Sequence, residues 1–410
     1  MSQVFRPGAP SLANDDSMLS RRFGKEVINY YSGGLLNRFS FLRGDAKFIR
    51  KAATAPAAQF IALRDLNPLI ADPKRLAFFG YDDVRPIVGA DPFGGSDEER
   101  KRSFDSARPT PLLLFLGLLP DSPKAVDLET TSHGVVNGQP YFALDVTPRG
   151  RFAEAAEAFL RQAEAKGYSV QTNVRTMTLH PEAAAILAQA RSLIDWNARN
   201  LFCAGCGNPN LSVEAGYKRV CPTTDLAGGS EPHERPDCPT RHGVSNLCFP
   251  RTDPTMIAAV VSSDGRRVLL GRQSRWPPKW HSTLAGFLEP GESIEDSVRR
   301  EVWEEAGVRV GRVVIHSSQP WPYPASLMIG AVAQALPDGE DIALLDKELE
   351  AARWFTFDEV REALNNGASA FGDPAPEAYS GPLYVPPSQA IAHQLLRAVV
   401  DGYMDPAPKM

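Results

Sequence analysis

Residues 286–308 read Gly-Phe-Leu-Glu-Pro-Gly-Glu-Ser-Ile-Glu-Asp-Ser-Val-Arg-Arg-Glu-Val-Trp-Glu-Glu-Ala-Gly-Val, and no other stretch limits the fold so tightly. The polar skeleton is Gly286, Glu292, Arg300, Glu301, Glu304, Glu305 and Gly307. Ser293 and Asp296 have capping-box spacing and Gly307 offers a left-handed stop, so a helix is predicted between them. At about 100° per residue, Glu301, Glu304 and Glu305 share an arc roughly 100° wide. Ile294, Val298 and Val302 hold the adjoining arc and can anchor it to a core. Carboxylates on one arc repel one another, which makes them a poor device for stability alone. A solvated acidic face with i,i+4 Arg/Glu pairs is the ordinary outcome of such a run. A hard divalent cation, Mg²⁺ or Mn²⁺, reverses the balance by taking the carboxylate oxygens. Arg300, four residues before Glu304, is placed to orient it.

At 410 residues the chain has room for two or three domains. A net charge of −5 and a pI near 5.9 give no general footprint for nucleic acid or an anionic membrane. The longest apolar run, residues 112–119, is too short for a span. The first twenty residues carry Asp15 and Asp16 where a secretory signal needs an apolar centre, and are expected to be a disordered leader. All five cysteines fall between Cys203 and Cys248, a pattern of metal binding rather than a disulfide framework. The expectation is a soluble intracellular protein.

The predicted domains are a leader (1–22), an N-terminal scaffold (23–197), a cysteine module (198–250) and a catalytic region (251–410). In the scaffold, residues 112–118 and 141–146 read as strands. An amphipathic helix after Gly150 aligns Phe152, Ala156, Phe159 and Ala163. Residues 91–109 read as a charged surface loop. A helix from Pro181 carries Ile186, Ala190, Leu193 and Asn197 toward the cysteines. Cys203-Ala-Gly-Cys206-Gly207 is a knuckle, two thiolates on a tight turn, with Cys221 following. Cys238 and Cys248 are both available as fourth ligand, with His233 and His242 nearby. Cys238, which ends an apparent insertion over residues 222–237, is preferred. Four thiolates with no open position describe a structural Zn²⁺. Nothing basic or aromatic clusters here beyond Lys218 and Arg219, which argues against nucleic-acid recognition by this module.

In the catalytic region, residues 256–261 and 267–270 flank Asp264-Gly265, a hairpin signal. Residues 281–287, 329–335 and 352–356 read as strands. Thr356 with Glu359, and Ser388, are expected to cap two further helices, the last aligning Ile391, Leu395, Val399 and Tyr403. Ser318-Gln-Pro-Trp-Pro-Tyr-Pro-Ala-Ser326 reads as a proline-stiffened extended loop.

The stretch from Gly286 resembles the Nudix box, Gly-x5-Glu-x7-Arg-Glu-apolar-x-Glu-Glu-x-Gly-apolar, with every fixed position filled. Ser-Gln-Pro-Trp-Pro-aromatic-Pro-x-Ser after such a box resembles the signature of the NADH pyrophosphatase family, and residues 29–43 resemble the start of its N-terminal domain. The resemblance covers residues 25–405. It implies an α/β (α+β) chain: a Nudix α/β/α sandwich with a mixed sheet, preceded by a zinc ribbon and a degenerate Nudix-like domain. It implies metal-dependent cleavage of the pyrophosphate of NADH, and more weakly NAD⁺, to reduced nicotinamide mononucleotide (or its oxidised form) and AMP. Removal of NAD caps from RNA, or hydrolysis of ADP-ribose or coenzyme A derivatives, is the alternative. A non-catalytic nucleotide sensor requires a broken box, and this one is whole.

Carried onto this chain, the family implies that Glu301, Glu304, Glu305 and Glu348 bind the catalytic cations with the main-chain oxygen of Ala285. Phe287 and Phe249 match aromatics that sandwich adenine, the second from the other subunit of a homodimer. Phe249 stands where tyrosine is common, which keeps stacking and loses a hydroxyl. Gln319, Trp321, Tyr323 and Ser326 match the substrate-binding loop, and Ala392 a contact near the C-terminal helix. No membrane partner is implied. Pro408-Lys409-Met410 resembles the Ser-Lys-Leu type of peroxisomal address, set against a cytoplasmic location.

Overall fold

The structure is a computed structural model and describes residues 4–5, 27–229, 231–242, 249–290, 292–345, 348–370 and 379–403. Cys248 and Pro408-Lys409-Met410 lie outside the described residues. The chain divides into two compact units. The first takes Met1–Ala13, Gly33–Arg251 and Pro322–Pro324; the second takes Asn14–Ser32, Thr252–Trp321 and Ala325–Met410.

The first unit is built on an eight-stranded sheet of β1 (Val4–Phe5), β2 (Gln59–Arg64), β3 (Asn67–Asp72), β4 (Arg75–Leu76), β5 (Leu113–Leu119), β6 (Val126–Glu129), β7 (Val135–Asp145) and β8 (Ser169–Val170). Long β7 is the hub: β2 joins it in parallel, β5 and β6 antiparallel. Helices α1 (Ala46–Ala53), α2 (Tyr81–Val88), α3 (Asp97–Arg102), α4 (Ala153–Ala165) and α5 (Pro181–Arg199) complete it. Phe60 stacks on Phe142 at 5.1 Å, and Phe115 meets Phe142 at 5.4 Å and Phe48 at 5.6 Å. Each such buried ring contributes about 1.5–3 kcal/mol. The alignment predicted for α4 buries Ala156, Phe159 and Ala163. Residues 91–109 are not wholly a loop, because α3 runs through them. Its Ser96-x-x-Glu99 capping box satisfies the first-turn donors of a helix with no buried face, a signal that the charge run obscures.

Helix α5 ends in the cysteine module. Buried Asn197 donates to Leu193 O and Gly216 O and accepts from Ser212 Oγ and Arg219 Nη1, so this polar residue on an apolar face joins the helix to β9 (Leu211–Val213) and β10 (Lys218–Val220). The insertion holds a two-stranded piece, β11 (Thr224–Asp225) with β12 (His233–Glu234). There, buried Asp225 pairs with Arg235.

The second unit is a six-stranded sheet of β13 (Asp253–Val261), β14 (Arg267–Arg272), β15 (Leu284–Phe287), β16 (Val310–Trp321), β17 (Ser326–Ala335) and β18 (Ala351–Thr356), ordered β16-β17-β13-β14-β18 with β15 beside β13. It is mixed: β13 and β17 are parallel, the other pairs antiparallel. Alternation along β13 sorts its residues into two cores. Met256, Ala258 and Val260 pack with Val298, Val302 and Ala306 of α6 (Ile294–Ala306). Ile257, Ala259 and Val261 pack with Val360 and Leu364 of α7 (Phe357–Asn366) and Ile391 and Leu395 of α8 (Ile391–Ala398). Helices therefore cover both faces, giving the α/β/α sandwich.

Two local expectations are corrected. Residues 318–321 are the end of β16, and 322–325 form its turn into β17, with Trp321 paired to Ser326. Pro320 is tolerated because β16 pairs only with β17 among the described strands, and an edge strand has a side that needs no donor. Ser388 does not cap α8. The N-cap is Ala390, and the first helical N–H, of Ile391, donates to Gln319 Oε1 at 3.0 Å.

Candidate functional site

Strand β15 delivers Ala285, Gly286 and Phe287 to one end of the sheet, where Ala285 pairs with Ile257 and Gly286 with Met256. Ser293 then starts α6, its Oγ accepting from Asp296 N at 3.2 Å, and Gly307 ends it at φ 71°. Between these caps, Arg300 fastens loop to helix. It bonds both carboxylate oxygens of Glu292 (2.5 and 2.9 Å), the carbonyl of Phe287 (2.9 Å), Glu301 Oε1 (3.0 Å) and Glu304 Oε2 (2.9 Å). Arg300 draws the proton affinity of Glu292 down to about 2.

Glu301 is displaced the other way. Burial raises its pKa, Arg300 works against that, and the charges of Glu304 and Glu348 add to it. Exposed Glu348 is thus near enough in the field of Glu301 to be felt, although it lies outside the helix. The Glu301 carboxyl group lies directly against the backbone of Gly286, where any Cβ would collide with it. Here it is the missing side chain of glycine, not its backbone angle, that lets the Glu301 carboxyl come so close. Glu305 is 3% exposed on the helix side that packs inward. An oxygen-rich donor set of this kind, with a proton-attracting carboxylate at its centre, fits a hard divalent cation. The carboxylates remain splayed around Arg300. Among the described residues, the only group of three or more candidate ligands with all donor atoms within 4.8 Å is the cysteine quartet.

That quartet is Cys203, Cys206, Cys221 and Cys238, with Cys203 Sγ 3.5 Å from Cys238 Sγ and Cys206 Sγ 3.6 Å from Cys221 Sγ. A bond from Asn208 N leads the effects that lower the Cys206 thiol to about 6, while burial and the neighbouring sulfurs push Cys221 up to about 12. Such a set cannot become four thiolates without a cation between them. An all-sulfur, closed set suits Zn²⁺ in a structural role.

The predicted substrate residues fall in both units. Phe287 is 59% exposed at the end of β15. Trp321 and Ser326 close the β16–β17 hairpin, with the Trp321 ring edge-on to Tyr31 at 6.2 Å. Gln319 is 1% exposed, and its amide bonds to Tyr30 O, Gln389 O and Ile391 N. Its side chain therefore does not face a ligand. Tyr323 donates to Val174 O at 2.7 Å and lies under the Arg191 guanidinium in the first unit. Phe249, also in the first unit, is exposed, with Lys218 Nζ 5.2 Å from its ring centre. Ala392 is 3% exposed and packs in the core of α8. Asn29 Nδ2 donates to Ser317 Oγ and Ser318 O beside Gln319, a link that residue spacing could not flag.

Models of three families match in sequence: the NADH pyrophosphatase-like rudimentary NUDIX domain over residues 57–196, the NADH pyrophosphatase zinc ribbon domain over 198–228, and the NUDIX domain over 252–373. The NAD-capped RNA hydrolase NUDT12 of Macaca fascicularis is 38% identical over 389 residues, spanning 91% of this chain and 73% of that one. The NAD-capped RNA hydrolase of Schizosaccharomyces pombe is 33% identical over 375 residues, spanning 90% and 92%. The mitochondrial NAD(P)H pyrophosphatase NUDT13 of Homo sapiens is 34% identical over 266 residues, spanning 64% and 68%. With the box on its helix, the four sulfurs gathered and relatives at least 33% identical over nine-tenths of this chain, the chain belongs to the NADH pyrophosphatase family of Nudix hydrolases.

Proposed function

We propose that this enzyme hydrolyses the central pyrophosphate of NADH, and more weakly of NAD⁺, releasing reduced nicotinamide mononucleotide (or its oxidised form) and AMP. The observation that carries the reading is Arg300 holding Glu292, Glu301, Glu304 and the Phe287 carbonyl together in the same unit as the paired Trp321 and Ser326. Glu301, Glu304, Glu305 and Glu348, with the Ala285 carbonyl, would hold Mg²⁺ or Mn²⁺. When bound, such cations neutralise the two phosphates and make water acidic enough for in-line attack. Arg300 keeps Glu301 and Glu304 oriented, and Gly286 lets Glu301 lie close to the backbone. One of these carboxylates takes the proton of the attacking water. Phe287 offers a flat apolar face suited to adenine, and Phe249 of a partner subunit would close over the other face in a homodimer. Zn²⁺ on the four cysteines holds the ribbon.

A second reading, removal of the NAD cap from RNA, is favoured by the relatives that bear that activity in their names. The bond cleaved is the same. Side-by-side product analysis with NADH, NAD⁺, ADP-ribose and NAD-capped RNA, with Mg²⁺ or Mn²⁺, separates them. NMNH and AMP as the fastest products support the first reading, and an NADH phosphoanhydride left intact overturns it. Peroxisomal residence through Pro408-Lys409-Met410 is proposed alongside. A reporter carrying these three residues should become punctate, and a diffuse signal ends the idea.

A further inference from the structure

In the second unit, two buried amides tie together segments far apart in sequence. Gln319, 1% exposed, donates both Nε2 hydrogens, to Tyr30 O at 3.0 Å and Gln389 O at 2.7 Å, and its Oε1 accepts from Ile391 N at 3.0 Å. Asn29, 3% exposed, donates from Nδ2 to Ser317 Oγ at 3.0 Å and Ser318 O at 2.9 Å. The contacts interlock. Asn29 grips the strand just before Gln319, and Gln319 grips the backbone just after Asn29.

A buried amide whose donors are all engaged has one rotamer and no donor left for a ligand. Gln319 thereby also supplies the missing cap of α8, which has no side-chain cap of its own. Residues two apart on a strand share a face, so fixing Gln319 fixes the plane on which Trp321 stands. Tyr31, next to the gripped Tyr30, sets its ring against Trp321.

We propose that Gln319 is a positioning residue, which with Asn29 clasps residues 29–31 and the first turn of α8 to the end of β16, so that Trp321 is held ready for the dinucleotide. The catalytic unit is completed by a segment that precedes the N-terminal domain in sequence. The proposal rests on the NADH reading for its kinetic consequence.

The test compares full-length wild type, Gln319→Ala, Gln319→Glu and Asn29→Ala. Loss of the clasp should raise KM for NADH about tenfold or more, with kcat held within about twofold and the Mn²⁺ dependence unmoved. Gln319→Glu at neutral pH places a carboxylate against two carbonyls and should behave like Gln319→Ala. Its KM should fall back as pH is lowered and a protonated carboxyl regains one donor. The Asn29→Ala/Gln319→Ala double variant should be no worse than the poorer single. Hydrogen exchange should quicken in peptides covering 29–32, 319–322 and 389–392, and not elsewhere. Unchanged KM with unchanged exchange overturns the clasp, as does a fall in kcat at constant KM. If Gln319→Ala fails to fold, Asn29→Ala, which lies outside the sheet, carries the same comparison. If wild type leaves NADH intact, the substrate reading falls, and exchange alone decides the clasp.

Discussion

Among the described residues, Arg300 makes more hydrogen bonds in the site than any carboxylate it holds. Its guanidinium ties two oxygens of Glu292, one each of Glu301 and Glu304, and the Phe287 carbonyl, a task for a planar fork. Arg300→Lys should lower kcat/KM for NADH by about tenfold or more while the protein stays folded, read by steady-state kinetics beside circular dichroism. Glu304→Gln, or Glu305→Gln, should lower turnover by about a hundredfold or more, and a loss under about tenfold, or ~1.4 kcal/mol of barrier, would contradict the metal role. Gly286→Ala should lower activity with little loss of stability, because the new methyl displaces the Glu301 carboxyl, the movable end of a flexible side chain; kinetics beside a thermal melt would check it. Glu292 and Glu301 respond to pH with opposite signs. Glu292 has its pKa depressed from 4.5 to about 2, so its stabilisation is complete above pH 4.5 and is lost as pH falls toward 2. Glu292→Gln should flatten that limb of an acid-unfolding curve. Glu301 has its pKa raised above 4.5, so the folded state weakens as pH climbs through that window, until a bound cation takes its charge. That Arg300 meets Glu301 and Glu304 was legible, because a helix converts sequence intervals into a common face. The close approach of Gly286 to Glu301 was not, since it depends on how β15 meets α6.

Local chemistry marked elements well wherever the elements satisfied themselves. Ser293 and Gly307 bound α6, and Thr356 with Glu359 caps α7. The errors arose where satisfaction comes from afar. Pro320, Pro322 and Pro324 suggested a loop, but the first of them lies in an edge strand that spares its missing N–H. The start of α8 was assigned to Ser388 because its true capping acceptor, Gln319, is 72 residues away. At this scale the cysteine module makes its own prediction. Chelation, or Cys238→Ser, should remove zinc and open β9–β12 to protease, since metal binding supplies most of the folding free energy of such small modules. Zinc content and limited proteolysis measure it, and an intact, resistant ribbon without zinc would refute the structural role.

For the whole molecule, strand–helix alternation and the box point to the fold class, while in the first unit the residues mark β5 and the end of β7 and only the resemblance points to a Nudix-like domain. The proposed homodimer should give a light-scattering mass about twice 44.7 kDa, and Phe249→Ala should raise KM for NADH with zinc content unchanged. A mass of one chain at assay concentration, with full activity, would exclude a partner's ring from the site. The outer rim of the second unit bears on how copies meet. Strand β16 shifts register between Val310 and Val313 and again between Ile315 and Ser317, and then reaches Pro320. A neighbouring chain trying to extend the ladder there would lose alignment twice and end on a residue without a donor. Exposed Val314 and Ile315 thus sit on an edge poorly suited to pairing with a further strand.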